Sequence, residues 1–367
     1  LVRHALPGEQ AVVEVVGVSS KVIRADAVEI LRPAPARVSP PCSWSGPGMC
    51  GGCDFQHVSL PEQRALKAQV IEDSFRRFAG LQMRLEVEPV DDDGLGWRTR
   101  MAWHADATGR WGLYAARSHR VIDVDACLIA AAEINAHRGS ASGGRPGDTS
   151  VMAVGDDGRV SEVREGRLVA GPERVDHRVG DRRWRIAADG FWQVHPRAAG
   201  VLTQVVLEMA RARPGERWWD LYSGAGLFAA GIADHVGPTG VVIAVESAPG
   251  AVRDARRALH DLPQVQLVQS DIGSWLAREA GTVERPVAKP VHGIVLDPPR
   301  SGAGQAVVDA IVDTGVGRVV YVACDPVALA RDVRLFSTRG YRLESVRAFD
   351  LFGMTHHVEC VASITSG

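Results

Sequence analysis

Six cysteines occur in the 367 residues, and Cys324 stands where chemistry is easiest to imagine, in Tyr-Val-Ala-Cys-Asp-Pro. An apolar run ends there and a helix-length segment follows. A thiol at a strand end beside a helix N-terminus is placed to act as a nucleophile, its pKa drawn below the ordinary ~8.5. Glu359, in Thr-His-His-Val-Glu-Cys, heads a terminal apolar strand and supplies a carboxylate that can take a proton. The next residue, Cys360, points to the opposite face of that strand and reads as buried structure. Asp297-Pro298-Pro299-Arg300-Ser301-Gly302 closes another apolar run and brings an acid and an arginine to the same cleft.

The remaining cysteines form a second constellation. Cys42, Cys50 and Cys53 lie in Cys-Ser-Trp-Ser-Gly-Pro-Gly-Met-Cys-Gly-Gly-Cys, and Cys127 follows in Val-Ile-Asp-Val-Asp-Ala-Cys. Two glycines between Cys50 and Cys53 let both thiolates turn toward one centre, with Cys127 as a fourth ligand. Spacing alone does not separate zinc from an iron–sulfur cluster.

These groups need a scaffold, and the stretch Trp218–Phe228 (Trp-Trp-Asp-Leu-Tyr-Ser-Gly-Ala-Gly-Leu-Phe) begins it. It reads as a strand, a tight turn at Gly224 and Gly226, and a helix over Leu227–Val236. Glycines there let a ligand approach the backbone beside the free N–H groups of the helix start. Further β-runs follow at Gly240–Glu246, Val265–Asp271, Gly293–Asp297 and Val319–Cys324, with helix-length segments between them. The pattern predicts a doubly wound α/β domain whose ligand lies outside the carboxyl ends of the strands, where Asp220, Glu246, Asp271, Asp297 and Cys324 fall. Glu246 is placed for a ribose hydroxyl pair, which suits a dinucleotide or S-adenosylmethionine. No glycine occupies the third position of a dehydrogenase fingerprint, because Phe228 and Ala229 follow Leu227.

Upstream, Gly8–Leu31 alternates as antiparallel strands of a small, incomplete barrel, and Pro33, Pro35, Pro40 and Pro41 make a rigid connector. Leu60–Ala79 has apolar residues at helical spacing and reads as a packing helix. Trp97–Tyr114 alternates like strands, whereas Ala130–Gly158 reads as a helix followed by a loop. Arg98, Arg100, Arg110, Arg117 and Arg120 form one basic patch, and Arg174, Arg178, Arg182, Arg183 and Arg185 a second. With a net charge of −2, a polyanion partner would have to use these patches. Phe191-Trp192-Gln193-Val194-His195 offers aromatics and an amide that could hold a planar base. No apolar run reaches the length of a membrane span and no export signal is visible, so a cytoplasmic protein with no membrane partner is expected.

Taken together, these residues resemble the S-adenosylmethionine-dependent RNA 5-methyluridine methyltransferases that carry an iron–sulfur cluster. The likeness rests on the N-terminal barrel, the cysteine motif, Phe-x-Gln, Asp-Leu-Tyr-x-Gly-x-Gly-x-Phe, Asp-Pro-Pro-Arg-x-Gly, Tyr-Val-x-Cys-x-Pro and the His-x-Glu ending, in this order along nearly the whole chain. It implies a Rossmann-like class I methyltransferase α/β domain over 191–367, preceded by a TRAM-like (OB-type) barrel over 1–34 and a mixed α+β iron–sulfur domain over 35–190. The helix at 58–82 would pack on the catalytic domain. By the same resemblance Cys324 is the nucleophile and Glu359 the base. Gln193, Tyr222, Gly224, Glu246, Asp271 and Asp297 line the S-adenosylmethionine site, and Cys42, Cys50, Cys53 and Cys127 hold a 4Fe-4S cluster. Phe191, Arg98 and Arg100 face the RNA, a tRNA or rRNA, and the protein is expected to act as a monomer. His195, Ser223 and Asp325 stand where the family often has Asn, Cys and Asn.

Two other readings compete. A methyltransferase for N or O acceptors has no need of a thiol adduct, and a non-catalytic RNA-binding or RNA-folding protein has no need of Cys324 and Glu359 together.

Overall fold

The computed structural model describes residues 1–140, 143–279 and 290–367. They form two compact units. One comprises Leu1–Leu66, Asp91–Glu173 and Phe352–His356; the other comprises Lys67–Val90, Arg174–Leu351 and His357–Gly367.

The first unit opens with β1 (Val2–Arg3), β2 (Gln10–Val18) and β3 (Ile23–Arg32), paired in the order β1-β3-β2. The β2–β3 pairing is antiparallel with three register shifts. Three strands leave this sheet open, and no barrel closes among the described residues. Helix α1 (Leu60–Ser74) starts here and continues in the second unit, where a π-helical turn (Phe75–Ala79) and β4 (Val87–Pro89) follow it.

The chain returns to the first unit with β5 (Arg100–Ala105), β6 (Trp111–Tyr114), β7 (Val121–Ile122), α2 (Ala132–Ser140), β8 (Thr149–Val154), β9 (Val160–Arg164) and β10 (Arg167–Ala170). These strands form one sheet in the order β10-β9-β8-β5-β6-β7. In β5 the two-residue period buries Met101, Trp103 and Ala105 on one face, leaving Ala102 and His104 half-buried on the other. The stretch expected to be a helix and then a loop after Ala130 thus contains a strand, β8, whose apolar Val151–Val154 pairs with both β5 and β9. Residues 141 and 142 of that stretch lie outside the described residues.

The second unit adds β11 (Arg174–Val179), β12 (Arg182–Ala187), α3 (Ala198–Ala210), β13 (Arg217–Leu221), α4 (Leu227–Val236), β14 (Val241–Glu246), α5 (Pro249–Ala258), β15 (Val265–Gln269), α6 (Ile272–Glu279), β16 (Gly293–Leu296), α7 (Gly304–Asp313), β17 (Arg318–Ala323), α8 (Pro326–Thr338), β18 (Tyr341–Asp350) and β19 (Glu359–Ser366). Its sheet has the order β15-β14-β13-β16-β17-β19-β18-β4, with β19 antiparallel to both neighbours. Leu221, Val245, Leu296, Val319 and Tyr321 are buried with Ile71 and Phe75 from the α1 segment in one core. Each such side chain contributes about 1.5–3 kcal/mol through its burial.

The hairpin β11–β12 belongs to this unit, so the division falls at Glu173/Arg174 where the sequence placed a boundary at 190/191. The reason is helix α5. Asp254 accepts from Arg174 at 2.5 Å and from the Ala187 backbone N–H at 3.0 Å, and Asp261 pairs with Arg182 at 2.7 Å. Arg183 and Arg185 both pair with Asp176. Much of the second basic run is therefore engaged in ion pairs within the hairpin and between it and the α5 region.

Candidate active site

The order of the sheet reverses between β13 and β16, and the ends of these strands carry the groups of interest. After β13 the chain turns through Tyr222 (φ 62°), Gly224 (φ 53°) and Gly226 (φ 79°), three left-handed residues in five. At Gly226 a Cβ would come within 2.5 Å of Leu259 Cδ1, so a larger residue would have to displace that side chain as well as take up the left-handed φ. Glu246, ending β14, accepts from the Gly224 N–H at 3.0 Å and the Ala248 N–H at 2.7 Å. It thereby ties the glycine turn to the next strand.

Asp220 accepts from the Ala229 N–H in the first turn of α4 at 2.8 Å. Its other oxygen and the hydroxyl of Ser223 are buried without a protein partner. Buried polar atoms are almost always paired, so these two are open to a bound molecule. Burial pushes the Asp220 carboxyl up to about 8, with the charges of Asp297 and Glu246 adding to the rise.

Asp271, past β15, accepts from the Ser274 N–H at 2.9 Å and is held below the usual carboxylate range by it. The Tyr222 phenol is half-buried, and burial followed by the charges of Asp271 and Asp332 pushes it up to about 12. Gln193 follows Trp192, which stacks on His177 with ring centroids 5.0 Å apart and lies 5.6 Å from Trp184. The Trp184 indole N–H donates to the Ala225 carbonyl at 3.1 Å. A ladder of rings thus brings the Gln193 backbone to the glycine turn. Phe191 is 73% exposed.

Cys324 directly follows β17, and β17 pairs with β19 through Ala323↔Cys360. Continuing that antiparallel register by one residue sets Cys324 across from Glu359. Cys360 is fully buried on the other face, as strand alternation requires. The Cys324 thiol is pushed up to about 11 by burial and then by the charge of Glu359, while Arg300 opposes the rise. This reverses the lowering expected from the helix N-terminus. Burial is the first cause; beside it, the Asp325 carboxylate caps α8 by accepting from the Val327 and Ala328 N–H groups at 2.9 Å each. With its free amides taken by an anion, the helix start has little positive potential to offer the thiol. Glu359 is 4% exposed, and burial with the charge of Asp297 raises its carboxyl well above the usual range, again opposed by Arg300. Asp297 is raised too, by burial.

The four remaining candidate thiols converge in the first unit. Burial raises Cys50, Cys53 and Cys127, and each feels the charges of others in the set; Cys53, pushed up to about 12, feels all three. The Gly52 N–H donates to Cys50, the Ile129 and Ala130 N–H groups to Cys127, and the Gln56 amide to Cys53 at 3.4 Å. Gly51, Gly52, Cys127 and Arg98 border a cavity of about 510 Å³. Among the described residues no group of three or more His, Cys, Asp or Glu is gathered to hold a single metal ion.

The two arginine candidates separate. Arg100 is buried in β5. Arg98 is half-buried at the thiol cavity and donates to the Arg100 carbonyl at 3.2 Å. Conversely, the charge of Arg300 acts on both Cys324 and Glu359 although it carried no assigned role, and its signal was the Asp-Pro-Pro-Arg motif itself. Asp332, which holds the turn after Arg300, left no signal in its own stretch of sequence.

Residues 288–365, which hold Asp297, Arg300, Cys324 and Glu359, match the family described as tRNA (uracil-5-)-methyltransferase. An uncharacterized RNA methyltransferase of Streptomyces coelicolor is 40% identical over 98% of this chain and 86% of its own length. A 23S rRNA (uracil(1939)-C(5))-methyltransferase of Chromohalobacter salexigens is 29% identical over 99% of this chain and 84% of its own. The solved tRNA (uracil-54, C5)-methyltransferase of Pyrococcus abyssi, in complex with S-adenosyl-L-homocysteine, aligns over 99% of this chain and 95% of its own with a TM-score of 0.73 at 21% identity, a likeness of fold. The second unit accordingly has the class I methyltransferase α/β fold. With relatives matched end to end and the family's own segment carrying the strand-end thiol and acid, this chain belongs to the S-adenosylmethionine-dependent RNA (uracil-C5)-methyltransferases.

Proposed function

We propose that this enzyme methylates C5 of a uridine in tRNA or rRNA through a covalent adduct of Cys324. The observation that carries the reading is the register of β17 and β19, which sets Cys324 opposite Glu359 with Arg300 favouring the charged form of both. Uracil C5 is a weak nucleophile. Addition of the Cys324 thiolate to C6 moves electron density to C5, which then attacks the sulfonium methyl and releases S-adenosylhomocysteine. Glu359 takes the C5 proton, the Sγ–C6 bond breaks, and the thiolate is regenerated. A methyl group has then replaced a proton.

S-adenosylmethionine is the co-substrate, and the residues present suit it. The glycine turn leaves room for its backbone contacts, Glu246 retains lone pairs for ribose hydroxyls, and the open atoms of Asp220 and Ser223 face a polar ligand. Gln193, Tyr222, Asp271 and Asp297 complete its lining, the acids favouring a cationic molecule.

Cys42, Cys50, Cys53 and Cys127 hold a 4Fe-4S cluster. Support comes from four mutually interacting thiols with N–H groups directed at their sulfurs, beside a cavity wider than one ion requires. The cluster's part is structural or in RNA binding. The target base is flipped out of its helix, with exposed Phe191 offered for stacking and Arg98 for a phosphate.

The test is transfer of labelled methyl from S-adenosylmethionine to rRNA and tRNA lacking 5-methyluridine, with the product nucleoside identified by mass. 5-Methyluridine made by the parent and abolished in Cys324→Ala supports the reading. Methylation that survives Cys324→Ala, or a product other than 5-methyluridine, refutes the adduct mechanism.

A further inference from the structure

Asp332 lies in the middle of α8 and is 3% exposed. Its carboxylate accepts from the Tyr321 hydroxyl at 2.5 Å, from the Ala303 N–H at 2.7 Å and from the Gly304 N–H at 3.3 Å. The Tyr321 hydroxyl also accepts from the Ala303 N–H at 3.1 Å. Tyr321 is on β17 and Asp332 on α8, so the two grip the strand–helix junction that carries Cys324 from both sides.

What they hold is the end of a tight turn. The Gly302 N–H donates to the Pro299 carbonyl at 2.8 Å, and Arg300 sits inside the loop so closed. Gly302 has φ +85°, and a Cβ there would lie 2.7 Å from an oxygen of Asp332. The turn therefore rests directly on the carboxylate, with no space between them. Arg300 is exposed, yet its charge acts on both reacting groups.

We propose that Asp332 is a positioning residue for the reacting centre: with Tyr321 it clamps the 302–304 segment and thereby holds Arg300 beside Cys324 and Glu359. The inference rests on the roles given above to Cys324 and Glu359, and it is testable without any methyl transfer.

The experiment follows alkylation of Cys324 by iodoacetamide as a function of pH, read by mass on the peptide that carries it. The groups facing this thiol are Glu359 from β19 and Arg300 and Asp297 from the loop after β16. Arg300→Gln and Asp332→Asn should each move the midpoint of the profile upward, by roughly one pH unit, about a tenfold loss of rate near neutrality. The double variant should move it no further than Arg300→Gln alone. An unchanged profile in Asp332→Asn, or shifts that add in the double variant, overturns the proposal.

Should Asp332→Asn fail to fold, Gly302→Ala lifts the turn from an intact carboxylate. It should give the same upward shift, and an unshifted profile there overturns the proposal equally. Methyl transfer to RNA is measured on the parent in parallel. Its absence would count against the uracil reading while leaving the clamp to be judged on the thiol profile.

Discussion

Asp220 makes a stability prediction that runs against the usual expectation for a carboxylate. In the fold it is 1% exposed and its carboxyl is pushed from the ordinary 3.8 to about 8, chiefly by burial. An acid whose pKa rises on folding binds its proton more tightly in the native state. Between the unfolded and folded values the native state keeps a proton that the unfolded chain has released, so stability falls as pH rises. The slope is about 1.4 kcal/mol per pH unit for one proton. From pH 5 to pH 8 this group alone costs the free protein roughly 4 kcal/mol. Asp220→Asn keeps an acceptor for the Ala229 N–H and has no charge to bury. Its stability relative to the parent should therefore grow by about that amount over the same interval. Urea unfolding at pH 5 and pH 8, followed by the fluorescence of the adjacent Trp218 and Trp219, measures the difference. A gap between variant and parent that stays constant within ~1 kcal/mol from pH 5 to pH 8 would show that Asp220 is ionised throughout, and the account of a buried neutral acid would be wrong.

Three further outcomes are expected. Gly226→Ala should destabilise by about 1–3 kcal/mol and weaken S-adenosylmethionine binding by calorimetry, because the left-handed φ and the 2.5 Å approach to Leu259 both resist a methyl group. Lys67 and Asp350 form a buried ion pair at 2.6 Å, so Lys67→Ala or Asp350→Ala alone should cost about 3–5 kcal/mol in urea unfolding, whereas Lys67→Met with Asp350→Leu should recover most of it. Protein purified without oxygen should carry iron and sulfide in about a four-to-four ratio with the broad visible absorbance of a cluster, and Cys53→Ser should lose both; stoichiometric zinc without colour would overturn the cluster assignment.

Much of the catalytic half was legible because its signals are local. Each parallel strand is a short apolar run ended by an acid or a glycine, and α4 is marked by its two glycines and its apolar face. The prolines of Asp-Pro-Pro-Arg and the cap at Asp325 likewise announce where strand gives way to turn or helix. The stretch after Ala130 was harder, since the alanines, glycines and serines that precede β8 mask a short strand that pairs on both edges.

Composition and local spacing by themselves determined that a four-cysteine set, a glycine turn, a candidate nucleophile and a candidate base occur in this order, since residue type and short-range period are properties of the chain alone. Tertiary structure decided which of them meet and with what charge. The register of β17 and β19 set Cys324 opposite a residue 35 positions away, and burial with the charge of Glu359 turned an expected lowering of the thiol pKa into a rise. Packing of the hairpin on α5 took up arginines that looked free, and the surroundings of β5 buried Arg100. The physical reason is common to all four: register, burial and ion pairing are set by which surfaces come together, and a side chain's chemistry follows from the dielectric and the charges it meets there.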